Sequence, residues 1–134
     1  MELEISEQPL IEEEIGRAVL DAAIAVHREL GPGLLESVYE AVLAAEIEQR
    51  GFEVRRQVPV RVEYRGQVFE EGFRADIIVN RRVLLELKSV QALNNAHRKQ
   101  LLTYLKLTDI KLGFLLNFGA ALMRDGIVRT VNNL

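Results

Sequence analysis

The sequence predicts an α/β sandwich in which helices flank a mixed β-sheet. Helical spacing fills the first 50 residues, alternating polar and apolar residues follow at 53–64, and the segments 72–79 and 83–88 are apolar on both faces. Strands that are apolar on both faces belong at the centre of a sheet covered by helices. The predicted order is α-α-β-β-β-β-α-β with a short tail, and 134 residues suit one domain spanning 1–134.

Three segments carry helical signals. The first, 11–30, has apolar side chains at helical spacing, namely Ile11, Ile15, Val19, Ala22, Val26 and Leu30. Its glutamates at 12–14 favour the positive end of the helix dipole, and Gly31-Pro32-Gly33 ends it. A second helix is expected at about 35–50, before Gly51, and a third at 94–107.

The strand signals begin with the alternation at 53–64, which leads into a tight turn at Arg65-Gly66. Further strands are predicted at 67–71, 72–79, 83–88 and 111–117. Asp125-Gly126 marks a late turn between short extended pieces, which we expect to form only a tail.

Composition excludes several classes of site. The chain has no cysteine, so it has no disulfide, thiolate nucleophile or zinc-thiolate site, which suits a cytoplasmic protein. The acidic N-terminus lacks the apolar core of a signal peptide, and the longest apolar runs are too short to span a membrane. Residues 1–40 hold ten acidic and two basic groups, whereas 41–134 hold ten acidic and fifteen basic groups. The basic remainder fits either a polyanion-binding face or an ordinary mixed surface.

The most informative segment runs from Asp76 to Lys88, where an aspartate is followed ten residues later by Glu86-Leu87-Lys88. Charges among so many β-branched and leucine residues need a partner or a metal. Glu86 and Lys88 share one strand face, and a three-residue loop at 80–82 would set Asp76 opposite Glu86. Asn80 suits such a loop. Two carboxylates and a lysine can support phosphodiester cleavage, while the alternative is an edge hairpin with solvated charges.

Two helices offer further candidate residues. Glu36 precedes Tyr39, Leu43 and Ile47 on one predicted inward face, so it is a candidate metal ligand, or else a helix-end charge favoured by the dipole. Tyr39 is a candidate substrate contact, although a core tyrosine with a hydroxyl handle is the simpler interpretation.

On the third predicted helix, Gln100 and Tyr104 are spaced to hydrogen-bond a phosphate, a base or Lys88. An ordinary polar helix face at the sheet edge would produce the same pattern. His97 has no second histidine or cysteine at ligand spacing, so we expect it at the surface or on the substrate side.

The segment Gly33-Leu34-Leu35-Glu36-Ser37-Val38-Tyr39 resembles the G-x-x-E-x-x-Y signature of the GxxExxY proteins, a family of the PD-(D/E)XK nuclease superfamily. The resemblance extends from the first helix to the strand at 111–117. Gln100-x-x-x-Tyr104 resembles the Q-x-x-x-Y motif of the RecB-like branch, which includes Cas4-type proteins. Ala75 departs from the proline that usually precedes the motif aspartate, and the iron–sulfur cysteines of some RecB-like members are missing.

This resemblance implies a restriction-endonuclease-like α/β/α sandwich around a four-stranded mixed sheet. It implies that Asp76, Glu86 and Glu36 hold Mg²⁺ or Mn²⁺, with the backbone carbonyl of Leu87 as a further ligand, and that Lys88 acts beside the metal. The expected activity is a metal-dependent nuclease acting on nucleic acid, with DNA the expected substrate, and with a homo-oligomer or a protein partner as an open possibility. The alternative is a non-catalytic binding module that keeps the nuclease fold.

Overall fold

A computed structural model describes residues 10–134, so the acidic segment 1–9 lies outside the described part of the chain. The chain forms helix α1 (Glu12–Leu30), helix α2 (Glu36–Gln49) and strands β1 (Val54–Tyr64), β2 (Gln67–Val79) and β3 (Val83–Lys88). Helix α3 (Asn95–Thr108), strand β4 (Leu112–Asn117), a 3-10 helix (Met123–Gly126) and strand β5 (Ile127–Val131) follow. The helix and strand boundaries therefore fall within a residue or two of those predicted for most elements.

The strands form one mixed sheet in the order β1-β2-β3-β4-β5, and only the β3–β4 pair is parallel. Because α3 connects β3 to β4, it is the crossover that a parallel pair requires. Every residue of β4 is buried, and so is every residue of β3 except Lys88. This matches the two-sided apolar pattern of these segments.

The helices cover opposite faces of the sheet. Helices α1 and α2 pack on the face formed by Ile77, Val79, Val83, Leu85 and Leu87, together with apolar residues of β4. Helix α3 packs through Leu101 and Leu105 on the other face, which contains Ala75, Ile78, Leu84 and Leu115. The predicted α/β/α arrangement is confirmed.

The resemblance implied a four-stranded sheet, and this expectation was wrong because the sheet has five strands. Residues 127–131 pair with β4 as an antiparallel fifth strand instead of forming a tail. The segment is short and only half-buried, so its own sequence carries a weak strand signal. The free edge of β4 supplies the backbone partners that make it a strand.

The predicted break between 67–71 and 72–79 was also wrong, because β2 runs through both segments. The irregularity that the sequence indicated is a shift in the β1–β2 register between Val60 and Val62, across from Gly72. A side chain at Gly72 would meet Val62 at 2.2 Å, so glycine permits this close approach. Beyond β3, the two strands continue as a two-stranded ribbon that ends at Arg65-Gly66.

Candidate metal centre at a fork in the sheet

The candidate site lies where β2 separates from β3. Backbone pairing between these strands ends at Ile77 and Leu85. Just beyond that pair, the Asp76 backbone N–H donates to Glu86 Oε1 at 3.1 Å, and the Leu87 N–H donates to Asp76 Oδ2 at 2.8 Å. The two carboxylates therefore replace strand carbonyls as acceptors, and they fix each other's strands at the fork.

The β2–β3 hairpin sets this opposition. Val79 pairs with Val83, so the loop holds the three residues 80–82, as predicted. Asn80 and Arg81 adopt left-handed conformations, with φ of 50° and 60°. The Asn80 side chain accepts the Glu53 N–H at 2.8 Å, which ties the loop to the start of β1. An asparagine that tolerates this conformation thus sets the register of the acid pair.

Burial is the largest influence on the pKa of both acids. It raises the pKa of Glu86, and the neighbouring Asp76 charge raises it further, to about 8. Burial also raises the pKa of Asp76 against the lowering effect of the Leu87 N–H, and the charges of Glu40 and Glu36 add to the rise. Two desolvated carboxylates that repel each other form a site that a cation would stabilise.

Lys88 and Glu36 lie at the same end of β3. The Lys88 charge lowers the pKa of Glu86, opposing burial, so its positive charge acts on the acid pair. Glu36 was predicted to point into the core, but its side chain is exposed. Its Oε2 accepts the N–H of Ser89 at 3.2 Å, which joins the first turn of α2 to the residue after Lys88.

Asn117 holds the chain that leaves β3. It is 3 % exposed, pairs with Lys88 across the parallel strands, and accepts the Val90 and Gly119 N–H groups at 3.0 Å each. Its amide also donates to the Val90 carbonyl at 3.0 Å. Gly119 allows this approach, because a Cβ there would lie 2.4 Å from the Val90 carbonyl oxygen. The segment after Lys88 is therefore held by a buried polar side chain.

Helix α3 brings Tyr104 towards the acids. The Tyr104 ring stacks on Phe73 of β2 with centroids 3.7 Å apart. Burial raises the pKa of Tyr104, and the charges of Glu86 and Asp76 raise it further. Gln100 is exposed one turn earlier, and the half-buried His97 forms a reciprocal N-terminal cap with Asn94. The helix thus presents one predicted substrate contact beside the acids and a second in solvent.

Tyr39 stays outside the acid cluster. Its ring is fully buried and stacks on Phe118 with centroids 4.4 Å apart. Its hydroxyl donates to the Gly31 carbonyl and accepts the Leu34 N–H, so it fastens the loop between α1 and α2. This geometry is that of a core tyrosine with a hydroxyl handle, and it leaves no hydroxyl proton for the substrate contact predicted for Tyr39.

Three further residues around Asp76 were not predicted from the sequence. Glu40, one helical turn after Glu36, is 7 % exposed and accepts from Arg56 Nε at 3.0 Å. The Gln57 amide donates to Glu40 Oε1 at 2.6 Å and to Asp76 Oδ1 at 3.3 Å. The i, i+4 spacing from Glu36 could have indicated Glu40, whereas nothing in the strand pattern distinguishes Gln57.

The donor set fits a hard divalent cation. Asp76 and Glu86 offer carboxylate oxygens on adjacent strands, and oxygen ligands are those that Mg²⁺ and Mn²⁺ prefer. Among residues 10–134, no three His, Cys, Asp or Glu side chains come together as a metal-binding group. Glu36 and the acid pair therefore do not form a three-acid ligand group, and further ligands would be backbone oxygen or water.

An α/β/α sandwich with an acid pair and a lysine on adjacent strands defines the class of this protein. A family profile described as the PD-(D/E)XK nuclease superfamily matches residues 13–130, so the chain belongs to that superfamily. No curated protein and no solved structure matches the chain. Across residues 10–134, no helix has the length and apolar character needed to cross a membrane.

Proposed function

We propose that this protein is a divalent-metal-dependent nuclease that hydrolyses phosphodiester bonds in DNA. The observation that carries the proposal is the partly buried pairing of Asp76 with Glu86 at the fork, where desolvation raises the pKa of both acids. Uncharged acceptors could make the same backbone hydrogen bonds, so folding alone gains nothing from the charges of these two acids. Members of the superfamily are generally nuclease hydrolases and typically use divalent metals.

Each site residue has a role in this proposal. Asp76 and Glu86 hold Mg²⁺ or Mn²⁺, with the backbone carbonyl of Leu87 as a further ligand. When bound, the ion supplies an activated water and stabilises charge on the phosphate. Lys88 adds a positive charge beside that phosphate. Glu36 acts through water from its position at Ser89.

Helix α3 supplies the substrate contacts. Tyr104 is held by its stack on Phe73 with its hydroxyl under the influence of both acids, so it is suited to donate to a phosphate oxygen. The exposed Gln100 lies one turn away on the same helix and extends this contact surface. The spacing of these two residues supports placement in the RecB-like branch, and the segment Gly33–Tyr39 supports the GxxExxY family.

A metal titration tests the proposal. Mn²⁺ or Mg²⁺ should raise the melting temperature, because an ion that binds only the folded state stabilises it by about 2.7 kcal/mol at a hundred times its Kd. The Asp76→Ala, Glu86→Ala double variant should lose this rise together with cleavage of single- and double-stranded DNA. An equal rise in the double variant would place the metal elsewhere.

The alternative is a non-catalytic module that binds nucleic acid or a partner protein. It is favoured by the absence, within residues 10–134, of any group of three His, Cys, Asp or Glu side chains that could hold a metal ion. Such a module would bind DNA or RNA equally well with and without metal, and it would leave every substrate intact. The same titration therefore separates the two functions.

A further inference from the structure

We propose that Gln57 is a positioning residue that holds the Asp76 carboxylate at the fork, and that Glu40 and Arg56 in turn hold Gln57. This inference deepens the proposed function, since it concerns the acid pair on which that function rests. It assigns a role to a glutamine of β1 that no sequence motif indicated.

The hydrogen bonds form a chain from α2 to the acid pair. Arg56 Nε donates to Glu40 Oε2 at 3.0 Å, and Gln57 Nε2 donates to Glu40 Oε1 at 2.6 Å. The same nitrogen donates to Asp76 Oδ1 at 3.3 Å. A primary amide has two N–H donors, so one amide can serve both carboxylates. With the Leu87 N–H on Oδ2, both oxygens of Asp76 have a donor.

The backbone at Gln57 makes this chain possible. Gln57 lies within β1 at φ 48°, a left-handed conformation that is unfavourable for a residue with a side chain. In a regular strand, the side chains of Arg56 and Gln57 would point to opposite faces. Here both reach Glu40. Strain that persists in a strand needs compensation, and the three hydrogen bonds to the two acids supply it.

If Gln57 had a purely structural role, a hydrogen bond to Glu40 alone would be enough. That acid is buried and needs partners, and Arg56 alone supplies a charge of opposite sign. Gln57 adds something that Arg56 does not, because its amide faces both Glu40 and Asp76. A neutral donor also steadies Asp76 without competing as a cation for the metal. The geometry therefore assigns Gln57 to the orientation of Asp76.

Amide hydrogen exchange tests this positioning in the metal-free protein. If Gln57 holds Asp76, then Gln57→Gly and Gln57→Asn should free the carboxylate and expose the Leu87 N–H. Exchange at Leu87 should quicken about tenfold, relative to Leu85, whose pair with Ile77 is the last of the β2–β3 ladder. Asparagine favours the left-handed conformation but is one methylene too short to span both acids, so it separates positioning from backbone flexibility.

Arg65→Gly is the matched control, since Arg65 has φ 49° in the distant hairpin turn of the same two strands. It should relieve similar backbone strain and leave exchange at Leu87 unchanged. Unchanged exchange at Leu87 in both Gln57 variants would overturn the proposal, whatever the metal does.

Mn²⁺ binding supplies the second measurement. Removal of a residue that orients a metal ligand typically weakens metal binding ten- to a hundredfold, and we expect about tenfold for Gln57→Asn. Wild-type affinity in that variant would show that the orientation of Asp76 does not serve the metal, and it too would overturn the proposal. A wild-type protein that binds no metal would defeat the proposed nuclease function, while exchange at Leu87 would still decide the role of Gln57.

Discussion

At the scale of single residues, the two acids have both a structural and a chemical role. Each accepts a backbone N–H at the fork, where a strand carbonyl would otherwise be the acceptor. An amide oxygen can accept such a bond as well as a carboxylate can, but it carries no charge. The two roles can therefore be separated by isosteric substitution.

Asp76→Asn makes this separation. The change keeps an oxygen for the Leu87 N–H and removes a desolvated charge beside Glu86, but it replaces the oxygen that accepts from Gln57 with an NH2 group. Because these effects oppose each other, the metal-free variant should match the stability of wild type within about 1 kcal/mol. Cleavage of DNA should be abolished. Urea unfolding and a cleavage assay provide the measurements, and a variant that fails to fold would show that Asp76 is chiefly structural.

Glu36→Gln tests the exposed glutamate at the start of α2. If Glu36 is only a helix-end charge, its loss should cost a few tenths to about 1 kcal/mol and leave cleavage alone. If it assists the metal through water, turnover should fall more than about tenfold with little change in stability. The measurement is cleavage rate against metal concentration, and curves that coincide with wild type would remove Glu36 from the site.

At the scale of elements, the β2–β3 hairpin controls the site. A loop one residue shorter would move Asp76 to the opposite face of the sheet, since side chains alternate along a strand. Asn80 contributes in two ways, through its left-handed backbone and through its bond to the Glu53 N–H. The residue type at position 80 therefore affects how Asp76 and Glu86 are placed.

Two substitutions at Asn80 distinguish these contributions. Asn80→Gly keeps the left-handed conformation and loses the side-chain bond, so it should cost about 1 kcal/mol. Asn80→Ala adds the strain of a side chain at φ 50° and should cost about 1 kcal/mol more. Denaturant unfolding measures both variants, and equal stability for the two would show that the backbone conformation contributes nothing.

At the scale of the whole molecule, the acid pair links stability to pH. The folded-state pKa of Glu86 is about 8, whereas an unfolded glutamate titrates near about 4.3. Between these values the folded protein binds more protons than the unfolded chain. The contribution of Glu86 to the stability of the folded protein is therefore fully present below its unfolded pKa, and it is lost as pH rises through about 8.

We expect the metal-free protein to lose on the order of a few kcal/mol of stability between pH values of about 5 and 8, relative to Glu86→Gln. Metal should reverse the trend, because it binds the deprotonated acids and its effect on the melting temperature grows with pH. Thermal unfolding of both proteins across this range, with and without Mn²⁺, gives the comparison. If the stability of wild type and of Glu86→Gln changed with pH in parallel, the raised pKa of Glu86 would be contradicted.

The sequence by itself determined the helices, the central strands and the acid pair. Helical and two-sided apolar patterns are local properties, so they could be read without the fold. The opposition of Asp76 and Glu86 was also accessible, because a short hairpin loop and side-chain alternation relate residues that are close along the chain.

Only the tertiary structure decided the rest. β5 is a strand because β4 offers it a free edge, and β2 continues through Gly72 because β1 supports it. The bridge that the Gln57 amide makes between Glu40 and Asp76 joins three elements, and it depends on an unusual backbone angle that no residue pattern signals. Such features arise from long-range packing and pairing, in which each residue's environment is supplied by distant parts of the chain.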